Sequence, residues 1–157
     1  LNILKGRPQR DLLDLMCHKA PHTPLLGIDN VTYLDIQDRG LDFPLNEKSI
    51  FVQEDAMAYL DKCNPYDVII CSDGIEHFTK EDGLKLIEKI DKKCKTSIIF
   101  TPEGKYMVVE DSVHPDTHKS GWEVEEFNKL GYNCVLFPNF HPQLNKGAIM
   151  AYKYNEI

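Results

Sequence analysis

The run Tyr66-Asp-Val-Ile-Ile-Cys-Ser-Asp-Gly-Ile-Glu-His77 closes an apolar stretch on a hydroxyl, two carboxylates and an imidazole. Groups of these types at one point of a chain can bind a polar ligand, orient it and move a proton. The imidazole suits that last task because its ordinary pKa of about 6.5 lies near neutrality. Ser72, Asp73, Glu76 and His77 are therefore the first candidates for a site, with His77 as a candidate base. The competing account is a polar loop that caps a core strand. His114 and His118 are spaced i, i+4, which would suit a metal on a helix, but Pro115 between them makes the spacing uninformative, and no metal is expected.

Chemistry at that point requires an element to present it. Val68, Ile69 and Ile70 are β-branched and uninterrupted, as in a strand buried on both faces of a parallel sheet. In open α/β sheets the ligand crevice lies outside the carboxyl ends of such strands. The rest of the chain alternates strand and helix patterns, which means α/β. Leu1 to Leu4 read as the first strand, and Pro8 as an early residue of a helix to about Lys19 whose buried face is Leu12, Leu13, Leu15 and Met16. Leu25 to Ile28 read as the second strand, ending on Asp29. A helix or irregular turn over Tyr33 to Arg39 follows, closed by Gly40. Ser49 to Val52 form the third strand, and Asp55 caps a short helix over Ala56 to Asp61.

Past His77, Thr79 with Asp82 opens a helix carrying Leu86, Ile87 and Ile90, and Ser97 to Phe100 form the fifth strand. Thr101 to Lys119 is a connection far longer than the usual ~2–6 residues, of the kind that carries function or a lid. Ser120-Gly-Trp-Glu123 resembles a capping box for a helix with Val124, Phe127 and Leu130, ended by Gly131. Cys134 to Phe137 and Ala148 to Tyr154 close the chain as antiparallel strands joined by Pro138 through Gly147.

Composition narrows the function. At 157 residues the chain is expected to be one domain over 1–157. A formal net charge of −7 argues against a nucleic-acid partner, which needs a basic surface, and Lys92-Lys-Cys-Lys95 reads as the solvated end of a helix. No apolar run approaches the ~20 residues of a membrane span, so no membrane is expected. Nothing resembles a secretory leader, and a cytoplasmic location is expected. The five cysteines, without CxxC spacing, read as reduced core thiols.

Four segments then carry a resemblance: Leu26-Gly-Ile-Asp29, Val52-Gln-Glu-Asp-Ala56, Tyr66 to His77, and Ile98-Ile-Phe-Thr-Pro-Glu-Gly104. A fifth, His118-Lys-Ser-Gly-Trp122 with Phe127 and Gly131-Tyr132, adds to it. Together they resemble the class I S-adenosylmethionine-dependent methyltransferases. The resemblance implies a Rossmann-like sheet of seven mostly parallel strands, an antiparallel C-terminal strand and helices on both faces. It implies S-adenosylmethionine as cofactor, with Asp29 on the ribose hydroxyls, Asp55 and Ala56 on the adenine, and Ser72 and Asp73 near the methionyl end. Glu76, Tyr106, His118 and Trp122 become substrate-pocket candidates. The family's acid-and-glycine turn after the first strand is represented only by Gly6.

Methyl transfer from an activated sulfonium depends mainly on alignment, so a base is needed only for an acceptor that loses a proton. The implied acceptor is a small molecule or a glycan-like compound, and a homo-oligomer or protein partner stays open. A second reading is a methyltransferase-like binding or scaffold protein without turnover, for which the poor glycine turn speaks. A nicotinamide-dependent oxidoreductase is the third, because an acid about 20 residues after a glycine also occurs in that fingerprint.

Overall fold

The structure, a computed structural model, describes residues 2–6, 10–142 and 146–157. Its strands are β1 (Asp11–Leu15), β2 (Asn30–Asp35), β3 (Ile50–Gln53), β4 (Tyr66–Ser72), β5 (Cys94–Pro102), β6 (Asn133–His141) and β7 (Lys146–Tyr154). Its α-helices are α1 (Ala56–Lys62), α2 (Lys80–Asp91) and α3 (Val124–Lys129), with 3-10 helices at Asn2–Leu4, Thr23–Leu26 and Ile75–His77. The strands form one sheet in the order β3-β2-β1-β4-β5-β7-β6. β1 through β5 pair in parallel, while β7 runs antiparallel to both β5 and β6. The expected mixed seven-stranded sheet and closing antiparallel pair are both present. The chain moves outward from β1 to β3 and returns to β4 beside β1. The strand order therefore reverses between β1 and β4, where a crevice opens in sheets of this kind.

The first third of the chain departs from expectation. The segment read as the first strand is a 3-10 helix over Asn2–Leu4, and Leu1 lies outside the described residues. β1 instead occupies Asp11–Leu15, inside the segment read as a helix from Pro8 to about Lys19, while residues 7–9, at the start of that expected helix, lie outside the described residues. Leu12, Leu13 and Leu15 are fully buried. Three leucines in four positions leave little polar back face for a helix, and a central strand covered on both sides uses all three. Likewise Thr23–Leu26 is a 3-10 helix ended by left-handed Gly27, and the second strand comes later. β2 buries Val31, Tyr33 and Leu34, and it ends on Asp35.

Leu13, Leu15, Ile69 and Cys71 pack under α1 and α2, and Ile99, Ile149 and Ala151 pack under Phe127 of α3. On the opposite face Leu12, Val31, Tyr33, Val68 and Ile98 meet Leu4, Leu26, Leu41 and Phe43. Among the described residues, α-helices thus cover one face and 3-10 turns with loops the other. Asp55 caps α1 by accepting from the Ala58 N–H (2.9 Å), and the Thr79 hydroxyl accepts from the Asp82 N–H (3.2 Å) at the start of α2. The Ser120–Glu123 box is not formed. Glu123 caps α3, with its N–H donating to the Glu126 carboxylate (2.9 Å), and Ser120 accepts from the Trp122 indole (3.0 Å). Residues 143–145, inside the expected final connection, lie outside the described residues. All five cysteines are free thiols. Among the described residues no helix is long and apolar enough to cross a membrane.

Candidate functional site

Carboxylates stand at the carboxyl ends of three neighbouring strands: Asp14 on β1, Asp35 on β2 and Asp55 after β3. Asp14 is buried and accepts from the Thr23 hydroxyl. Burial pushes its carboxyl up to about 6, against the Thr23 hydrogen bond and with a smaller push from Asp35. Asp35 accepts from the backbone N–H groups of His18 and Gln37, each at 2.9 Å. The Cys17 N–H donates to the Leu34 carbonyl (2.9 Å), so the turn after β1 is tied to the end of β2. In that turn Met16, His18 and Ala20 are all left-handed, at φ of 60°, 50° and 47°. L-residues adopt that region at a cost of roughly 1–2 kcal/mol each. The acid-and-glycine turn expected at Gly6 therefore stands here, as Asp14 followed by three alternate left-handed positions without a glycine.

On the other side of the strand-order reversal, β4 delivers Ser72, left-handed Asp73 and the 3-10 turn with Glu76 and His77. Gly74 permits this approach, since a Cβ there would lie 2.8 Å from the Cys71 sulfur and 3.1 Å from the Met16 sulfur. Glu76 is buried and accepts from the Thr101 hydroxyl through Oε2 (3.0 Å). Burial pushes its carboxyl up to about 8, aided by Asp73. His77 is held below the ordinary imidazole range by burial and then by His118, with Asp116 and nearby backbone opposing. It is therefore neutral near pH 7, the state a base requires. The His118 ring packs edge-on against His77 at 4.9 Å between centroids, and its Nδ1 lies 2.8 Å from the Tyr106 carbonyl.

The two sides enclose a cleft of about 440 Å³ whose lining includes Asp14, His18, Thr23, Ser72, Asp73 and His77. Arg39, from the loop after β2, reaches across its rim to Asp116 at 2.5 Å. A second cavity of about 200 Å³, which also borders His77, is walled by Asp35, Ile36, Asp55, Ala56 and Phe78. Burial pushes the Cys17 thiol upward, so no thiolate faces the cleft from that position.

Known structures share this fold. TehB from Haemophilus influenzae matches with TM-score 0.70 over 99% of this chain at 15% identity, and this chain spans 60% of it. The methyltransferase domain of bacterial CtHen1-C matches at 0.68 and 19% identity over 99% of this chain and 94% of that one. A SAM-dependent methyltransferase from Archaeoglobus fulgidus matches at 0.65 and 19% identity over 96% and 89%. The chain has the class I methyltransferase fold. No protein-family model matches the sequence, nor does any curated protein.

Within the methyltransferase fold, the residues expected from sequence separate into three groups. Asp55 and Ala56 wall the smaller cavity, while Ser72, Asp73 and His77 line the larger one. Three expectations are corrected. Asp29 precedes β2 and so sits at its amino end, where its side chain is 76% exposed and 3.8 Å from Lys48; the acid at the carboxyl end of β2 is Asp35. Gly6 precedes β1 and lines neither cavity, because β1 begins at Asp11. Trp122 is fully buried, packed on Phe127 and capped by the Lys80 ammonium at 3.7 Å from its ring, so it anchors the core and lines neither cavity. Glu76 is enclosed, while Tyr106 and His118 lie together on the connection after β5. Asp14, Asp35, Arg39 and Asp116 were not anticipated. For Asp35 a signal existed, since Val31-Thr-Tyr-Leu-Asp35 repeats the β-rich run ending on an acid that marks β4.

Proposed function

We propose that this chain is an S-adenosylmethionine-dependent methyltransferase acting on a small-molecule or glycan-like acceptor, within a single domain over 1–157. The observation that carries the reading is the pair of adjoining cavities along the ends of β1 to β4, with an acid at each of three successive strand ends. The residues present fit the cofactor. Asp35 and Asp55 offer carboxylates to ribose and adenine, Ile36 and Phe78 offer apolar walls, and Ala56 opens α1 with an N–H that has no partner within the helix. Bound S-adenosylmethionine supplies an electrophilic methyl group on a sulfonium. Asp14, Ser72 and Asp73 then stand beside the larger cavity, where the amino-acid end belongs. His77 borders both cavities, in position to take a proton from an acceptor lying between them.

The non-catalytic reading rests on a specific observation. Where the family's turn brings glycines to the cofactor, this chain places the side chains of Met16, His18 and Ala20. Equilibrium binding of S-adenosylmethionine, S-adenosylhomocysteine and NADH to the folded chain separates the readings. Micromolar binding of the sulfur pair with none of NADH supports the methyltransferase. Silence of both sulfur ligands at millimolar concentration makes the chain a binding or scaffold protein, and preference for NADH makes it an oxidoreductase.

A further inference from the structure

We propose that Glu76, His77 and His118 form a site for a divalent first-row transition-metal ion of the zinc, cobalt, iron(II) or manganese kind, on the β4–β5 side of the cleft. One ligand atom from each residue lies within 4.8 Å of the other two. Ions of this class bind nitrogen and oxygen at about 2.0–2.2 Å, so modest side-chain rotations bring the three donors onto one centre. The three come from two places in the chain. Glu76 and His77 share the turn after β4, and the connection after β5 brings His118 to them because the Lys119 and Ser120 N–H groups both donate to the Glu76 carbonyl (2.7 and 3.1 Å).

Two further features point to a ligand. Among the described residues, Glu76 Oε1 and His77 Nδ1 are buried without a hydrogen-bond partner. A buried polar atom is costly to leave unsatisfied, and here two such atoms belong to adjacent members of one potential ligand set. The remaining valences are already oriented. Thr101 holds Glu76 Oε2 (3.0 Å), and the Tyr106 carbonyl lies at His118 Nδ1 (2.8 Å), so that nitrogen carries the proton and the lone pair is left on Nε2. Outer partners of this kind fix the tautomer and aim of metal-binding imidazoles. The competing account is a pair of imidazoles packed edge to face. It explains the ring contact but provides no partner for Glu76 Oε1.

Two imidazoles and one carboxylate favour transition metals over magnesium and calcium, which prefer oxygen ligands. Three protein ligands leave coordination positions open, and His77 borders the cleft. Resting on the methyltransferase reading, such an ion selects acceptors that present an oxygen. With its lone pair on the ion, His77 no longer serves as the base: the acceptor hydroxyl gives its proton to solvent, its oxygen takes the methyl group, and the cofactor's carbon–sulfur bond breaks to leave a neutral thioether.

The test is a titration of the chelator-treated chain with Co²⁺ and Zn²⁺, and separately Mg²⁺, without cofactor, by calorimetry and visible absorption. The expected result is one ion per chain with d–d bands of nitrogen and oxygen coordination and no comparable Mg²⁺ binding. Affinity should fall at least 30-fold in His118→Ala and in His77→Gln, and stay unchanged in His114→Ala. Circular dichroism establishes that each variant is folded. Absence of Co²⁺ and Zn²⁺ binding at about 100 μM, equal affinity in the folded His118 and His77 variants, or an intense sulfur-to-cobalt band from the free cysteines each overturns the site. S-adenosylhomocysteine binding is measured in a separate titration, so loss of the methyltransferase reading leaves the metal result standing on its own.

Discussion

The two banks of the cleft satisfy their polar groups in opposite ways. On the β1–β2 bank the turn after β1 is closed by its own backbone: Cys17 donates to Leu34, His18 to Asp35, and Asp14 accepts from Thr23. On the β4–β5 bank Glu76 Oε1 and His77 Nδ1 are buried without partners among the described residues. The turn after β1 closes these bonds without a ligand, even where its residues must adopt left-handed backbone, although Arg39 Nε, in the loop after β2, is also buried without a partner among the described residues. The second retains unmet bonding capacity. A cofactor that enters beside the first bank must fit a surface already set, whereas a ligand at the second supplies bonds that the fold leaves open.

The largest expected effect tests what holds the second bank in place. Trp122 fills the core beneath the β5 connection, with Gly83 so close that a Cβ would lie 2.6 Å from its ring. Trp122→Ala should cost about 3–5 kcal/mol in urea unfolding. A loss under 1 kcal/mol would show that the connection is held by something else.

Asp14 tests the first bank. Its folded carboxyl, at about 6, binds a proton more tightly than the unfolded one at 3.8. The native state therefore carries the excess proton between about pH 4 and 6, and stability falls as pH rises through that window. Asp14→Asn, which keeps an acceptor for Thr23, should remove this loss. Relative to wild type it should gain about 2 kcal/mol between pH 4.5 and 8, read from unfolding midpoints at each pH. A pH-independent difference would place the titrating group elsewhere.

A smaller effect separates the two ends of β2. Asp35→Ala should weaken S-adenosylhomocysteine binding tenfold or more, about 1.4 kcal/mol, whereas Asp29→Ala at the far end should leave it unchanged. Equal effects of the two variants would count against the strand-end assignment. The smallest concerns backbone strain. His18→Gly keeps the N–H bond to Asp35 and relieves a left-handed L-residue, and should stabilise the chain by about 0.5–1 kcal/mol in the same urea assay.

How much was legible in the sequence also divides along the banks. The β4 segment announced itself because Val68, Ile69 and Ile70 are β-branched, and Asp73 and His77 line the cleft beyond its end. β1 was hidden because Leu12, Leu13 and Leu15 favour helices as readily as strands, and a short apolar run has no period that decides between them. Once β1 was misplaced, the strand after it was misplaced too, and Asp29 was taken as the acid at its carboxyl end in place of Asp35, while Asp55 and Asp73 kept their places after β3 and β4. The turn after β1 offered no glycine to correct the error, because its conformation is maintained by tertiary bonds to Leu34 and Asp35. Trp122 was ambiguous for another reason. Its neighbours Gly83, Lys80 and Phe127 come from two helices, and no local pattern brings them together. His118 belongs with Glu76 and His77 through the folding of a long connection, which spacing from His114 does not reveal.

The ion pair from Arg39 to Asp116 joins loops from the two banks across the rim of the cleft, and Arg39 holds the Asp116 carboxyl below its usual range. Both side chains are in contact with solvent, so dissolved salt competes with this bond. A ligand that exchanges through this rim breaks the pair on its way, and the bound complex can re-form it. Ionic strength should therefore act on the clock of exchange: raising salt from 20 to 500 mM, in stopped-flow mixing with S-adenosylhomocysteine, should speed arrival and departure together and leave their ratio nearly unchanged. In Arg39→Ala that acceleration should vanish.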